Sequence, residues 1–594
     1  MRFFYLVALI FIGLLLYIPN LPSTVQIVDS GELVRAAFAN HVPHPPGYPL
    51  FLILIKLAIT LGPFGTVFWK AASLNVGLAI LTATIIFRIL KNQSLLGFSL
   101  SVLLMTIQIF WRYAVIPEVF MLNAFFAAAI LLLYLDKELT RYQVFIPFLF
   151  FLGFTNHLTL VFLAPVMLHV LLRNLKSKAL WAFIFSGIIV FVGLYVLLLK
   201  FQPDHINSWG NLKSIKDIAL HFLRSDYGTF QLVGTEDKGA YSQILYRLAL
   251  IILENFAAVI VIGLLCLLLR YRQRQKFKIE EYIIGFSLLL YLTVFFALSN
   301  LAPVGIFAEV IDRFYILVFV LFFIWSAYQI SQCRLGKKTQ TLIAGILLTS
   351  AGLNYVRFHK INNFSRNTII EDYAINLLKQ APLNTPTMLM ATTDTRFFAL
   401  EYVQTVLGIR PDVLIVHPRK LFSSWYREKI KKFGVNFNVD KIVKDNSIVV
   451  EDDFIVLNLS RFLILTHLDF KNASKYKSTI LPLGILLEKQ NGLAYLEPEL
   501  ALTFRSTQQI ISSDTKEYDI FREIWSEYGN ETYIKAQYYV QKGDNALALH
   551  ELSKTLSMVP WHWPAKSAQC KLLGANTNCE KELELIQNKY YNYF

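Results

Sequence analysis

Apolar residues in this chain come in long unbroken blocks, not in the short alternating or 3.6-residue patterns of a soluble domain. Residues 3–17 and 179–199 carry no charged side chain at all. A helix rises 1.5 Å per residue, so blocks of this size match a hydrocarbon core of ~30 Å. Similar blocks near 66–88, 95–112, 118–135, 143–155, 157–172, 246–269, 281–299, 313–331 and 340–356 predict further spanning helices. The segment 50–61 is apolar but short and is followed by Gly62-Pro63, the profile of a re-entrant or interfacial helix. Beyond Arg357 the text changes to ordinary soluble sequence, with a charge run at 427–432 and a polar break at 362–367. The expected division is a transmembrane domain over 1–356, a soluble α/β domain over 357–515 and a helical, tetratricopeptide-like region over 516–594.

Composition agrees with this pattern. The chain is 55% hydrophobic and only 16% charged, with a mean hydropathy of +0.49; soluble domains run nearer ~25% charged. A soluble enzyme, a disordered chain and a disulfide scaffold are excluded. The net charge of +15, from 56 Lys and Arg against 41 Asp and Glu, would suggest nucleic acid in a soluble protein. In a polytopic one it reflects basic cytoplasmic loops, and no nucleic-acid partner is expected. Those loops are 88–91, 137–141, 173–178, 270–278 and 334–338. If 50–61 spanned, Arg88 and Lys91 would face outward; leaving it unspanned returns every basic loop to one side. The expectation is therefore about eleven spans, a retained first span with the N-terminus inside, and the soluble part outside the cytoplasm. Of the four cysteines, Cys266 and Cys333 fall in or beside spans, whereas Cys570 and Cys579 lie nine apart and suit a local disulfide if that end is outside.

With this orientation the unusual polar residues collect on the outer face. In the first outer loop Ser30-Gly31 suits a helix start, and Asp29 with Glu32 at i,i+3 would share a face. The stretch from His41 to Pro49 contains Pro43, His44, Pro45, Pro46, Gly47 and Tyr48 and cannot be helical. A capped amphipathic helix and a proline loop explain these residues without a function, but two carboxylates at a membrane surface are costly unless used. Trp111-Arg112-Tyr113 and Pro117-Glu118-Val119 bracket a short outer turn, Thr155-Asn156-His157 breaks an apolar run, and Glu309 with Asp312-Arg313-Phe314-Tyr315 opens a later span. Singly, each is an interface anchor or a helix break; grouped on one side, they point to a site. The membrane half has no nucleotide-binding glycine loop, no HExxH, no CxxC pair and no aspartate-rich metal pair.

Asp29-Ser30-Gly31-Glu32-Leu33 followed by His44-Pro45-Pro46-Gly47-Tyr48-Pro49-Leu50 resembles the signature of a GT-C-type family. That family includes the animal enzyme that O-mannosylates plexin- and hepatocyte-growth-factor-receptor-type ectodomains, together with bacterial members. The block from Pro117 to Asn123, the block from Gly153 to Thr159, Trp209-Gly210 with Tyr227-Gly228, Asp312-Arg313-Phe314-Tyr315, and the run from Gly408 to Val413 resemble its further blocks. One departure is His41-Val42-Pro43, where the family's approach to His-Pro-Pro contains glycine. The resemblance implies a GT-C-like glycosyltransferase of a bacterial inner membrane, inverting, with its active site and C-terminal domain periplasmic. The donor would be a polyprenyl-phosphate-linked mannose or other hexose, and the acceptor a protein Ser/Thr hydroxyl. No cofactor beyond that donor substrate is implied, and any metal need is left open. A glycan ligase or polymerase, a lipid-linked-sugar transporter or flippase, and a non-catalytic assembly protein are the alternatives. The transporter reading expects inverted repeats, and none is visible.

Polyprenyl phosphate leaves readily, so the chemistry needs a base for the acceptor hydroxyl and cations for the departing phosphate. Asp29 is the candidate base, with Glu32 orienting or substituting for it. Arg313, Arg35, His157 and Asn156 are candidates for holding the phosphate, the arginines through a bidentate fork. His44, Tyr48, Glu118 and Trp209 are expected to shape the sugar pocket. The partners expected are the bilayer, the lipid-linked sugar, and an acceptor protein or glycan. In the soluble half, 387–393, 395–407 and 413–417 read as strand, helix, strand, with further strands at 448–449 and 454–457. Thr392-Thr393-Asp394 reads as a helix N-cap or a ligand site. Ala536, Tyr539, Gly543-Asp544, Ala548, Leu552 and Pro560 match one tetratricopeptide repeat, with Thr555 where alanine is usual, or a plain helical hairpin. Either way this half is expected to steer an acceptor and not to catalyse.

Overall fold

A computed structural model describes residues 2–229, 241–299, 301–303, 306–391, 393–437, 449–466, 477–481, 484–488, 505, 519–541, 543–574 and 577–590. The chain divides into two compact units. The first comprises Met1–Ser23 and Leu33–Arg366; the second comprises Thr24–Glu32 and Asn367–Phe594. The nine-residue segment Thr24–Glu32 thus groups with sequence more than three hundred residues downstream, as in the 343-residue separation of the Thr24–Asn367 bond.

The first unit is helical. Among the described residues, six helices are long and apolar enough to cross a membrane: Arg2–Asn20, Val67–Ile89, Lys178–Lys200, Tyr241–Arg272, Ile279–Leu298 and Lys337–Phe358. Ser94–Thr106 and Gln108–Val115, bent by 71°, make a seventh if taken as one span, and Pro49–Leu61, Val119–Leu135 and Leu158–Arg173 are shorter apolar helices. The stretch 143–155 holds only a nine-residue α-helix, Ile146–Phe154, after 3₁₀ turns over Lys137–Phe145.

Backbone groups released by a break in an apolar environment need internal partners, and asparagines supply them. At the Ile107 bend, Gln108 N–H donates to Asn255 Oδ1 at 3.0 Å, and Asn362 Nδ2 donates to the Gln108 carbonyl at 3.1 Å. The helix Tyr241–Arg272 is itself interrupted at Phe256 (φ −150°), and Asn354 Nδ2 donates to the Asn255 carbonyl beside that break at 2.9 Å. Fully buried Asn75, on Val67–Ile89, reaches the carbonyls of Tyr113, Ile116 and Glu118 at 3.2, 2.8 and 2.9 Å, and so anchors the 113–118 turn.

The second unit is built on a five-stranded sheet: β1 Thr387–Met390, β2 Leu414–Val416, β3 Leu463–Thr466, β4 Lys477–Leu481 and β5 Gly484–Glu488, in spatial order β2-β1-β3-β5-β4. β1 is parallel to both β2 and β3, while β5 is antiparallel to β3 and β4. The helix Asp394–Leu407 makes the crossover from β1 to β2. Thr393 stands at its N-cap position without a side-chain capping bond; Thr392 lies outside the described residues.

The strand expected at 454–457 is a correction. Those residues belong to the helix Val449–Asn458. Phe454, Ile455 and Asn458 are buried while Val456 and Leu457 are exposed, which is a helical stripe and not an alternating one. Val449, also expected in a strand, opens the same helix; Ile448 lies outside the described residues.

The tail is an antiparallel helical pair, Asp519–Gln541 and Asn545–Met558, followed by Trp563–Leu573 and Thr577–Tyr590. Ala536, Leu552 and Ala565 form its small core, and Cys570 and Cys579 are joined by a disulfide with Cα atoms 5.8 Å apart.

Candidate functional site

Asp29 and Glu32 belong to the second unit. Ser30 begins the helix Ser30–Ala39, so Asp29 sits in the turn just before it, and the Ser30 hydroxyl closes that turn on the Ile27 carbonyl at 2.8 Å. Glu32, in the first helical turn, is buried, whereas Asp29 is half-buried. Val28, immediately before Asp29, has φ +59°, a left-handed conformation that a β-branched residue seldom takes.

The remaining candidates lie in the first unit. Arg35 is wholly buried and its Nη1 stands 2.9 Å from His41 Nδ1; the His41 ring stacks on His205 at 4.2 Å. The following turn is tied to the 201–210 loop by two bonds, Val42 N–H to Ser208 Oγ at 3.1 Å and Trp209 N–H to the Val42 carbonyl at 2.8 Å. Gly47 has φ +96°, and a Cβ there would meet Leu198 at 2.9 Å and the His221 ring at 3.2 Å, so glycine is required. Tyr48 is also left-handed (φ +46°) and caps the helix Pro49–Leu61. His221, in the loop between candidate spans, is held neutral by burial, which pushes its imidazole down to about 3.

From this turn a continuous line of side chains runs across the unit. His44 lies edge-on to Trp209 with centroids 6.3 Å apart, and its Nε2 is 2.9 Å from the Tyr48 hydroxyl. The Tyr48 ring is near-parallel to His157 at 6.3 Å. His157 contacts Phe120 at 5.0 Å and Phe314 at 5.8 Å, and the Arg313 guanidinium lies over both phenyl rings, 5.2 and 5.9 Å from their centroids. Arg313 also pairs with buried Glu118 at 3.5 Å. Asn156 donates to the Val119 carbonyl at 3.0 Å, and His157 Nδ1 is 2.7 Å from Thr159 Oγ1, so the Asn-His break is fixed from both sides. Trp209, His44, Tyr48, His157, Arg313 and Glu118, drawn from five sequence regions, therefore share one locality.

Two members, Arg247 and Asp226, are not apparent from sequence. Arg247 clamps Asp312 with two 2.6 Å bonds, and Arg112 stands 3.8 Å from Glu309. The signal for Arg247 was an arginine within a predominantly apolar helix, which always needs a partner. Trp209 Nε1 donates to Asp226 at 3.1 Å, and its ring stacks on Tyr227. Arginine over aromatic rings, beside a carboxylate and imidazoles, suits recognition of a phosphate next to a hydroxyl-bearing ring. Among the described residues, no group of three or more His, Cys, Asp or Glu stands close enough to hold a metal ion.

Residues 29–181 match the family model described as the protein O-mannosyl-transferase TMEM260 N-terminal domain. The protein O-mannosyl-transferase TMEM260 of Mus musculus is 27% identical over 501 residues, covering 78% of this chain and 69% of that protein. In sequence, the chain is similar to the TMEM260-type protein O-mannosyl-transferases. The Dictyostelium discoideum protein O-mannosyl-transferase tmem260 is 28% identical over 67% of this chain, which spans only 55% of that relative's length. In fold, the chain is similar to the crystal structure of ArnT from Cupriavidus metallidurans bound to undecaprenyl phosphate: TM-score 0.54, 11% identity, covering 82% of this chain and 98% of that one. The TMEM260-type match takes in Asp29, Glu32, Arg35, His44, Tyr48, Glu118, Asn156 and His157; Trp209 and Arg313 lie beyond it.

Proposed function

We propose that this glycosyltransferase moves mannose or another hexose from a polyprenyl-phosphate donor to a Ser/Thr hydroxyl of an extracytoplasmic protein. The observation that carries the reading is the line Trp209–His44–Tyr48–His157–Arg313–Glu118 inside a predominantly apolar unit. Burying such groups is expensive unless they are used. The names of the TMEM260 relatives support mannose and a protein acceptor, and the lipid bound to ArnT supports a polyprenyl phosphate.

In the proposed reaction Asp29 accepts the proton of the acceptor hydroxyl as its oxygen attacks the anomeric carbon. The bond from that carbon to the phosphate oxygen breaks, its electron pair leaves with polyprenyl phosphate, and the configuration inverts. Glu32 orients the acceptor or shares the proton. Arg313, Arg35, His157 and Asn156 take the phosphate, with Arg313 neutralising the charge that develops on it. His44, Tyr48, Glu118 and Trp209 bound the sugar. The topology that goes with this has about eleven crossings, Pro49–Leu61 not spanning, and the second unit with its tetratricopeptide-like tail on the periplasmic side of a bacterial inner membrane.

The test is transfer from undecaprenyl-phosphate mannose by the full chain in lipid nanodiscs, with Ser/Thr-rich secreted peptides as acceptors and mass spectrometry as the readout. Mannosylated peptide is expected. Transfer to a glycan alone would move the acceptor class, and no turnover of any polyprenyl-phosphate sugar would remove the reading. A reporter active only in the cytoplasm, fused after Phe594, is expected to stay dark.

A further inference from the structure

The segment that carries Asp29 is held, within the second unit, by the soluble α/β domain. Its N-terminal half is fixed by Asn367. The Asn367 carbonyl accepts from Thr24 Oγ1 at 2.6 Å and from Gln26 Nε2 at 3.0 Å, and Asn367 Nδ2 donates back to Gln26 Oε1 at 3.0 Å. Val25 N–H donates to Glu371, whose other carboxylate oxygen is engaged by Arg505 at 2.8 Å.

Its C-terminal half is fixed by the helix Asp394–Leu407. Val28 N–H donates to the Thr395 hydroxyl at 3.2 Å. Gly31 lies so close to the same helix that an added Cβ would stand 3.2 Å from the Phe398 carbonyl oxygen and 2.9 Å from Val25 Cγ2. A main-chain carbonyl inside a helix cannot swing aside as a side chain can. Asp29 therefore stands between two backbone positions, Val28 and Gly31, that are each set by one turn of one helix. Thr395 is buried, and its bond secures the left-handed Val28 (φ +59°) that directs the chain into Asp29.

We propose that Thr395 is a positioning residue for Asp29, and that the soluble domain, expected from sequence only to steer an acceptor, sets the aim of the catalytic carboxylate. The inference rests on the reading of Asp29 as the base, and it assigns the domain a part in kcat.

The experiment compares Thr395→Val, Thr395→Ser and Gly31→Ala with wild type as full chains in nanodiscs, using undecaprenyl-phosphate mannose as donor. Two quantities are read: hydrogen–deuterium exchange over residues 24–32, and the split between kcat and donor KM. Valine keeps the shape of threonine but offers no acceptor, so exchange near Val28 is expected to rise about fivefold, the equivalent of one net hydrogen bond. The resulting misplacement is expected to lower kcat about 10- to 100-fold while donor KM stays within about twofold. Serine restores the acceptor and is expected to bring both readouts close to wild type; Gly31→Ala, which keeps every hydrogen-bonding group, is expected to follow valine. Unchanged exchange in Thr395→Val overturns the proposal, as does wild-type kcat with loosened exchange or a valine defect that serine fails to repair. If wild type transfers no mannose, the functional reading fails, and the exchange comparison alone then decides whether Thr395 holds the segment.

Discussion

Replacing Asn75 by alanine removes one side chain and three anchors at once. The amide nitrogen shares its two hydrogens among the carbonyls of Tyr113, Ile116 and Glu118, at 3.2, 2.8 and 2.9 Å, from a fully buried position. Inter-helix hydrogen bonds in membrane proteins average ~0.6 kcal/mol and those in soluble proteins ~1 kcal/mol. With two hydrogens to donate, the amide makes at most two full bonds among the three carbonyls, about 1–2 kcal/mol, and the cavity adds a further term. The control is Thr82→Ala on the same helix. Its hydroxyl bonds only to the Leu78 carbonyl one turn back, an exchange expected to cost under about 1 kcal/mol. The loss at Asn75 should also have an address: the turn it anchors ends at Glu118, the partner of Arg313. Unfolding of the full chain by titration with denaturing detergent measures the first quantity, and mannose transfer at saturating donor the second. The reasoning fails if Asn75→Ala is no more destabilising than Thr82→Ala. It also fails if turnover survives a confirmed loss of stability, since the turn would then not be setting the position of Glu118.

Three further outcomes are expected. Asp29→Asn should fold and bind donor but lose about 10²- to 10⁴-fold in turnover, more than Glu32→Gln, with the double variant adding little; a defect confined to Glu32→Gln would reassign the base. Arg313→Lys keeps the charge but loses the planar fork that lies over Phe120 and Phe314, so turnover should fall to a small fraction of wild type, and near-normal kcat would leave Arg313 a packing residue. His562 caps Trp563–Leu573 by accepting from Ala565 N–H at 3.1 Å, and burial pushes its imidazole from the ordinary 6.5 down to about 4. Between those values the unfolded tail binds a proton that the folded tail refuses, so stability is full above pH 6.5, falls as pH drops towards about 4 by up to ~3 kcal/mol, and is flat below. His562→Asn keeps an acceptor without titrating and should flatten that profile in hydrogen exchange of the tail; an unaltered profile would assign the slope elsewhere.

The turn from His41 to Tyr48 is legible in the sequence because its signals are local. Prolines at 43, 45 and 46 keep that stretch out of a helix, Pro49 suits the first position of the helix Pro49–Leu61, and histidine and tyrosine beside them advertise a polar turn in an apolar chain. Pairings across the fold were not legible. Glu118 and Arg313 read as separate members of a sugar pocket and a phosphate clamp, yet they are 195 residues apart and meet at 3.5 Å. Arg247 was passed over because a single charge hardly alters the average of a 32-residue apolar helix, although that charge is what fixes Asp312. The error at 454–457 has the opposite origin. Phe454, Ile455, Val456 and Leu457 favour a strand one by one, and only their two-sided burial reveals the helix. No local pattern could have assigned residues 24–32 to the second unit, because the complement of that segment lies in Asn367, Glu371 and Thr395.

The split composition of the second unit bears on how the protein is made and how it can be exchanged. Its first nine residues, Thr24–Glu32, leave the ribosome long before Asn367 and Thr395 exist to receive them. At ~5–20 residues per second, the ~340 residues between them keep Asp29 without its supports for roughly 15–70 s. With Asp29 in the proposed role of base, a nascent or truncated chain lacking Asn367 and Thr395 is expected to transfer no sugar, which activity of a chain truncated after Arg366 would refute. The same order constrains chimaeras. A soluble domain borrowed from a relative arrives without its own opening segment, and a working graft must carry 24–32 along with everything after Arg366.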